Sequence, residues 1–162
     1  YVCNVDESSA VNGNKYVSEV KEIVENENSE LLILAVASEA DINEFDNYQD
    51  RKVFLQDMGL DEAGSSKLIR KSYELLNLQT YFTAGKKEVK AWTIKKGTTA
   101  PQAAGVIHTD FEKGFIRAEV ISFRDYAEYK NEIKIKEAGK LKIEGKDYIV
   151  NDGDVMHFRF NV

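Results

Sequence analysis

Residues 31–37 read LLILAVA, seven apolar side chains with no polar interruption. Alternation would mark a strand with one wet face; an unbroken run of this length suits a strand covered on both faces. The preceding segment sharpens that reading. Tyr16, Val17, Val20, Ile23 and Val24 recur at helical spacing with Glu and Lys between them, the pattern of an amphipathic helix. VNGN (11–14) is a turn signal before it, and ENENS (25–29) ends it. At the start of the chain, YVC reads as the end of a buried strand and NVDE (4–7) as the polar loop at its carboxyl end. Strand, helix, strand in this order is a βαβ unit, which implies a parallel sheet.

Residues 38–77 continue in helical pattern. FDNYQDRKVFLQDMG reads as a helix closed by Gly59. GSSKLIRKSYELLN reads as another, with a serine cap and a stripe of Leu68, Ile69, Leu75 and Leu76. From Leu78 the period changes. LQTYFTA and EVKAWTI are β-type runs around GKK, a hairpin signal. APQAAGVIH predicts a short helix with Pro101 near its first position. GFIRAEVISF predicts a strand and RDYAEYKNE a short helix. DYIV predicts a strand, separated by Asn151–Asp154 from a last one. There Met156, Phe158, Phe160 and Val162 alternate with His157, Arg159 and Asn161. The fold class is α/β: a βαβ piece over 1–77, then a β-grasp arrangement, a mixed sheet covering a helix, over 78–162.

Charge divides at the same place. Residues 1–77 carry a net −9 and residues 78–162 a net +3, within −6 overall. The first part repels a polyanion except at a dedicated site; the second tolerates one. The one cysteine, Cys3, cannot form an internal disulfide, which fits a reducing, cytoplasmic setting. No apolar run approaches the ~18 residues of a membrane span. No signal peptide is visible and the first residue is not Met, so the chain is expected to be a piece of a longer protein.

Ligands of open α/β sheets sit at the carboxyl ends of strands. Asn4 and Glu7 stand there. An Asn amide can donate to a purine N7, and a carboxylate three residues on can accept from the edge of the base. GTP-binding folds commonly use Asn-Lys-x-Asp. Here Val5 replaces Lys and Glu7 lengthens the acid, which moves the acceptor out of line with guanine and costs about 1–3 kcal/mol when the partner is buried. Adenine, with its N6 amino group, becomes plausible, and Val5 can pack on its face. In the second loop, small Ala37 and Ser38 let backbone N–H groups approach a base. The competing reading is that Asn and Asp are simply common where strands stop.

NVDE, ASEADI, LLNLQTYFTAG, AWTIKKGTTAPQAAGVIHTDFEKGFIRAEVISF, KEAGK and EGKDYIVNDGDVMHFRFNV together resemble the C-terminal part of the YchF-type, Obg-like ATPases. The resemblance runs from Asn4 to Val162. It implies a P-loop NTPase of the translation-factor class, with 1–77 the last part of its nucleotide domain and 78–162 its TGS domain. It also implies ATP or GTP with Mg²⁺ as cofactors of the intact protein, and Asn-x-x-Glu as the base reader of a family that favours ATP. No G-x-x-x-x-G-K-[ST] occurs in this chain. Phosphate cradle, phosphate Lys and Mg²⁺ hydroxyl are therefore expected elsewhere, and this piece alone is expected not to hydrolyse nucleotide.

In the second part, Lys86, Lys87, Lys90, Lys95 and Lys96 surround Trp92, with Lys113 and Arg117 further on. Basic groups with an aromatic among them can track a phosphate backbone and stack on a base. Lysines on hairpins are also commonly just solvated. The resemblance to TGS domains implies ribosome or RNA contact. The alternative is a non-catalytic β-grasp adaptor that binds protein, mounted on an acidic helical half. His108 and His157 have no cysteine at metal spacing, so no metal site is expected. His157 falls on the polar side of the last strand, and His108 is placed to cap the end of the preceding helix. A βαβ piece with unpaired strand edges carries a risk of self-association.

Overall fold

A computed structural model describes residues 1–27, 29–85 and 88–161. The chain divides into two compact units, Tyr1–Glu74 and Leu75–Val162. Among the described residues no helix is long and apolar enough to cross a membrane.

In the first unit, β1 (Val2–Asn4) pairs in parallel with β2 (Leu32–Leu34), in the register Val2 to Leu32 and Asn4 to Leu34. Between them runs α1 (Lys15–Asn26), so the βαβ crossover forms as the periodicity predicts. Asn14 starts α1, its side chain accepting the N–H groups of Tyr16 and Val17. Only Val17 and Val24 of the apolar stripe are buried; Tyr16 and Ile23 stay exposed. Val2 is exposed as well, so the opening strand is not the buried one its composition suggests. Among the described residues β1 pairs only with β2, so its other edge is open.

The LLILAVA run is also split. The strand stops at Leu34, and α2 (Val36–Glu44) starts two residues on. Apolar composition alone cannot tell a strand from the first turn of a buried helix. α3 (Tyr48–Asp57) and α4 (Gly64–Leu75) follow. The serine cap assigned to α4 is absent. Instead the Glu39 carboxylate reaches across from α2 and accepts the N–H of Gly64 at 2.6 Å and of Ser65 at 3.3 Å. A carboxylate at a helix N-terminus satisfies open donors and opposes the helix dipole.

The second unit is one mixed sheet. Its strands are β3 (Leu78–Ala84), β4 (Val89–Lys95), β5 (Phe115–Ser122), β6 (Lys142–Glu144) and β7 (Asp154–Phe160), in the order β4-β3-β7-β5-β6. β3 and β4 form the expected antiparallel hairpin, Tyr81 opposite Trp92. β7 runs antiparallel to β5 and parallel to β3. On one face lies α5 (Ala100–Ile107), whose Ala100, Ala103 and Ala104 pack with Tyr81, Ile94, Ala118, Met156 and Phe158. The Tyr81 hydroxyl donates to Ala103 O at 2.8 Å and ties sheet to helix. α6 (Thr109–Lys113) continues from α5. The other face is covered by α7 (Phe123–Tyr129) and α8 (Glu132–Glu137), through Tyr126, Tyr129 and Ile135 on Ile121 and Val155.

DYIV does not form a strand; Ile149 makes only an isolated bridge to Thr99. The turn after it does the work of positioning β7. Asp152 accepts the N–H of Thr80 at 2.8 Å, and Gly153 donates to Thr80 O at 2.7 Å. Buried Asp154 accepts from the Tyr148 hydroxyl and the Asn151 N–H, both at 2.8 Å. Burial, then the neighbouring carboxylate, pushes the Tyr148 hydroxyl up to about 12.

Gly114 closes the entrance to β5. A Cβ there would overlap the backbone oxygen of Asn161, and the Asn161 N–H donates to Gly114 O at 2.9 Å. Gly114→Ala should therefore push the two strand ends apart and cost about 1–3 kcal/mol in urea unfolding, with unchanged secondary structure by circular dichroism.

Candidate functional site

Asn4 ends β1 and its side chain is already engaged. Its Oδ1 accepts the N–H of Val36 at 3.1 Å, which joins the loop after β1 to the loop after β2. Val36 opens α2, and Ala35 at the cap position has no side-chain bond of its own, so Asn4 caps that helix from the neighbouring strand. Val5 continues the ladder, donating to Leu34 O at 2.9 Å. With Oδ1 occupied, the Nδ2 amino group is what Asn4 has left to donate.

The two acids that follow part company. Asp6 stays exposed and caps a short 3₁₀ turn (Glu7–Ser9), accepting from Ser9 N and Ser8 Oγ, each at 2.9 Å. Hydrogen bonds from Ser9 and then Ser8 hold its carboxyl below the usual carboxylate range. Glu7 is exposed. Sequence reasoning missed the role of Asp6, although Asp is among the favoured residues at the cap of a helical turn. Ala37 is exposed in the first turn of α2, while Ser38 is 4% exposed and points inward. Ser38 lines a cavity of only about 10 Å³ shared with Glu39 and Gly64, too small for a base. The structure thus brings Asn4, Val5 and the α2 entrance together, leaves Glu7 at their edge, and turns the Ser38 side chain away.

The basic residues do not form one surface. Lys90 and Trp92 alternate with Lys95 along β4, so Lys95 projects from the opposite face of the sheet. Lys90 Nζ stands 4.0 Å over the Trp92 ring, and Trp92 Nε1 donates to Thr83 Oγ1 at 3.0 Å. Lys96 follows β4 and is exposed, as are Lys113 at the end of α6 and Arg117 in β5. Lys86 and Lys87 lie outside the described residues. Arg117 is the cross-strand partner of Arg159, and Glu119 of His157. Arg159 donates through Nε and NH2 to the two oxygens of Glu119, each at 3.2 Å. His108 ends α5 through its backbone, its N–H donating to Ala104 O at 3.2 Å, but its imidazole serves the next helix: Nδ1 accepts the N–H of Asp110 at 3.2 Å and so caps the start of α6. No cluster of three or more metal-ligating side chains occurs among the described residues.

The family model "YchF-GTPase_C: Protein of unknown function (DUF933)" matches residues 78–161. The chain belongs to this YchF family. It is 59% identical, over its whole length, to the "Ribosome-binding ATPase YchF" of Escherichia coli O157:H7. It is 48% identical to the protein of that name from Bacillus subtilis and 42% identical to "Obg-like ATPase 1" of Xenopus laevis. It spans 44% of the two bacterial relatives and 41% of the frog protein. Among solved structures, the Schizosaccharomyces pombe YchF GTPase superposes with a TM-score of 0.83 at 36% identity, over 98% of this chain and 42% of that one. Both this likeness and the observed sheets make the chain a mixed α/β protein of YchF type.

The Glu119–Arg159 pair has a pH signature. The Arg159 hydrogen bonds hold the Glu119 carboxyl below its ordinary value. A depressed carboxylate stabilises the fold above its unfolded value of about 4.3 and loses that contribution as pH falls through the folded one. Carboxyl ¹³C titration should find Glu119 below a free glutamate, and Arg159→Gln should raise it while shifting the acid unfolding limb upward in pH.

Proposed function

We propose that this chain is the C-terminal portion of a ribosome-associated, nucleotide-hydrolysing protein, in which residues 1–77 read the purine and residues 78–162 form a TGS docking module. The names of its relatives, ribosome-binding ATPases and Obg-like ATPases, support the activity of the intact protein. The observation that carries the base-reading role is the Asn4–Val36 hydrogen bond. It fixes the side chain between two strand-end loops and leaves Nδ2 for a purine N7, with Val5 beside the base and exposed Glu7 to accept from its edge. The amides of Ala37 and Ser38 at the start of α2 complete the rim; the Ser38 hydroxyl takes no part.

ATP or GTP with Mg²⁺ would be bound by the intact protein. This chain has no phosphate-loop motif, so on this reading phosphate and Mg²⁺ fall to other residues of the intact protein, and the chain alone is expected not to hydrolyse nucleotide. The strand order and the covering helix α5 support a β-grasp unit of the TGS kind. Its docking residues are drawn from Lys90, Trp92, Lys95, Lys96, Lys113 and Arg117, together with Lys86 and Lys87, which lie outside the described residues. The ribosome-binding relatives support a cytoplasmic setting.

Two experiments test these roles. In the full-length protein, Glu7→Asp should shift preference from ATP toward GTP, read by calorimetric titration with each nucleotide; an unchanged ratio counts against the base-reading role. Lys95→Glu/Lys96→Glu should weaken ribosome co-sedimentation in a salt-dependent way, whereas salt-insensitive binding to a protein favours the adaptor reading.

A further inference from the structure

The contact between β3 and β7 is a fork. It is clamped at one end, where Asp152 and Gly153 hold Thr80. The paired register is Phe82 with Val155, after which β3 ends at Ala84 while β7 continues to Phe160. A cavity of about 460 Å³ opens in the fork, within the ~300–1,000 Å³ range of small-ligand sites. Its walls are Trp92, Ile107, Phe111, Phe158 and Phe160. Phe111 and Phe160 are stacked at 3.8 Å between centroids, and Lys90 stands over the indole. Glu88 and His157 also line it.

His157 also lines a second, smaller cavity of about 120 Å³ with Glu119 and Arg159. The fork therefore meets the face that carries the cross-strand pair Arg117 and Arg159. Two guanidiniums share that face with one bonded carboxylate, Glu119; Glu132 lies at the far side of the smaller cavity. Like charges directly opposite each other across strands are unfavourable, and a bound anion relieves them.

We propose that the fork takes one unpaired nucleobase of an RNA strand, with its flanking phosphates on Arg117, Arg159 and His157. The inference rests on the ribosome-docking reading and names the RNA element and the face. Aromatic walls accept the π-face of any base, and arginines across a strand pair match adjacent phosphates. An apolar peptide lying along β7 would use the same walls but gains nothing from the arginine pair.

The test uses the whole chain, in which Trp92 is the single tryptophan. Titration with a short unstructured oligo(A) should quench its fluorescence, and a blunt RNA duplex should not. Arg117→Glu/Arg159→Glu also breaks the Glu119–Arg159 pair, so circular dichroism first confirms its fold, and Arg117→Glu alone, which keeps that pair, is the second variant and should weaken binding in the same direction. The double variant should weaken oligo(A) binding at least tenfold and flatten the log–log salt dependence by about 1.4, roughly 0.7 for each lost phosphate contact. Trp92→Ala should weaken binding by about tenfold, read by anisotropy of labelled oligo(A). Absent quenching, equal quenching by duplex, indifference to the arginine reversal, or quenching by an apolar peptide and not by RNA would each overturn the proposal. Ribosome co-sedimentation in the same buffer separates the two claims: retained sedimentation without oligo(A) quenching sinks the fork alone, whereas loss of wild-type sedimentation sinks the docking reading.

Discussion

The ladder between β5 and β7 is what the second unit is built around. It runs from Phe115 opposite Phe160 to Ser122 opposite Asp154 and puts β7 at the centre of the sheet. Because β7 alternates, one ladder feeds two cores. Met156 and Phe158 face α5, while Val155 faces α7 and α8. The same alternation lifts His157 and Arg159 out toward Glu119 and Arg117. The hinge of this arrangement is the Asn151–Asp154 turn, which sets the register with β3 at Thr80 and then releases it, so the fork is a product of how the sheet closes.

Where side chains alternate or a turn residue has a single use, the sequence was readable. The β3–β4 hairpin, the α5 start with Pro101, and the alternation of β7 all form as patterned. What misled was composition without period. LLILAVA contains both a strand and the start of a helix, and only the long-range bond from Asn4 to Val36 marks the division. Ser65 looked like a cap for α4, yet the donors there are taken by Glu39, 25 residues earlier for Gly64. Local propensity cannot see a partner supplied by another element. His108 ends α5 where it was placed, but its imidazole caps α6, a use the α5 pattern does not show.

The candidate site was legible in part for a related reason. Asn4, Val5 and the start of α2 could be placed because strand ends in a βαβ unit converge. The inward turn of Ser38 could not, since it depends on which face of α2 packs against Glu39 and Gly64. The basic residues were countable but not mappable. Lys90 and Lys95 are five apart on a strand, an odd spacing that sends them to opposite faces. Arg159 and His157 gained their setting only from the β5 register.

The division of labour between Asp6 and Glu7 has a consequence for how such a protein can change. The residue that holds the turn in shape and the residue proposed to meet the base are neighbours, but they share no hydrogen bond. Drift at Glu7 therefore leaves the scaffold untouched, whereas drift at Asp6 removes the cap of the turn. If Glu7 reads the base as proposed, a lineage can retune its choice of nucleotide by one methylene at a time, with no compensating mutation needed to keep the loop folded.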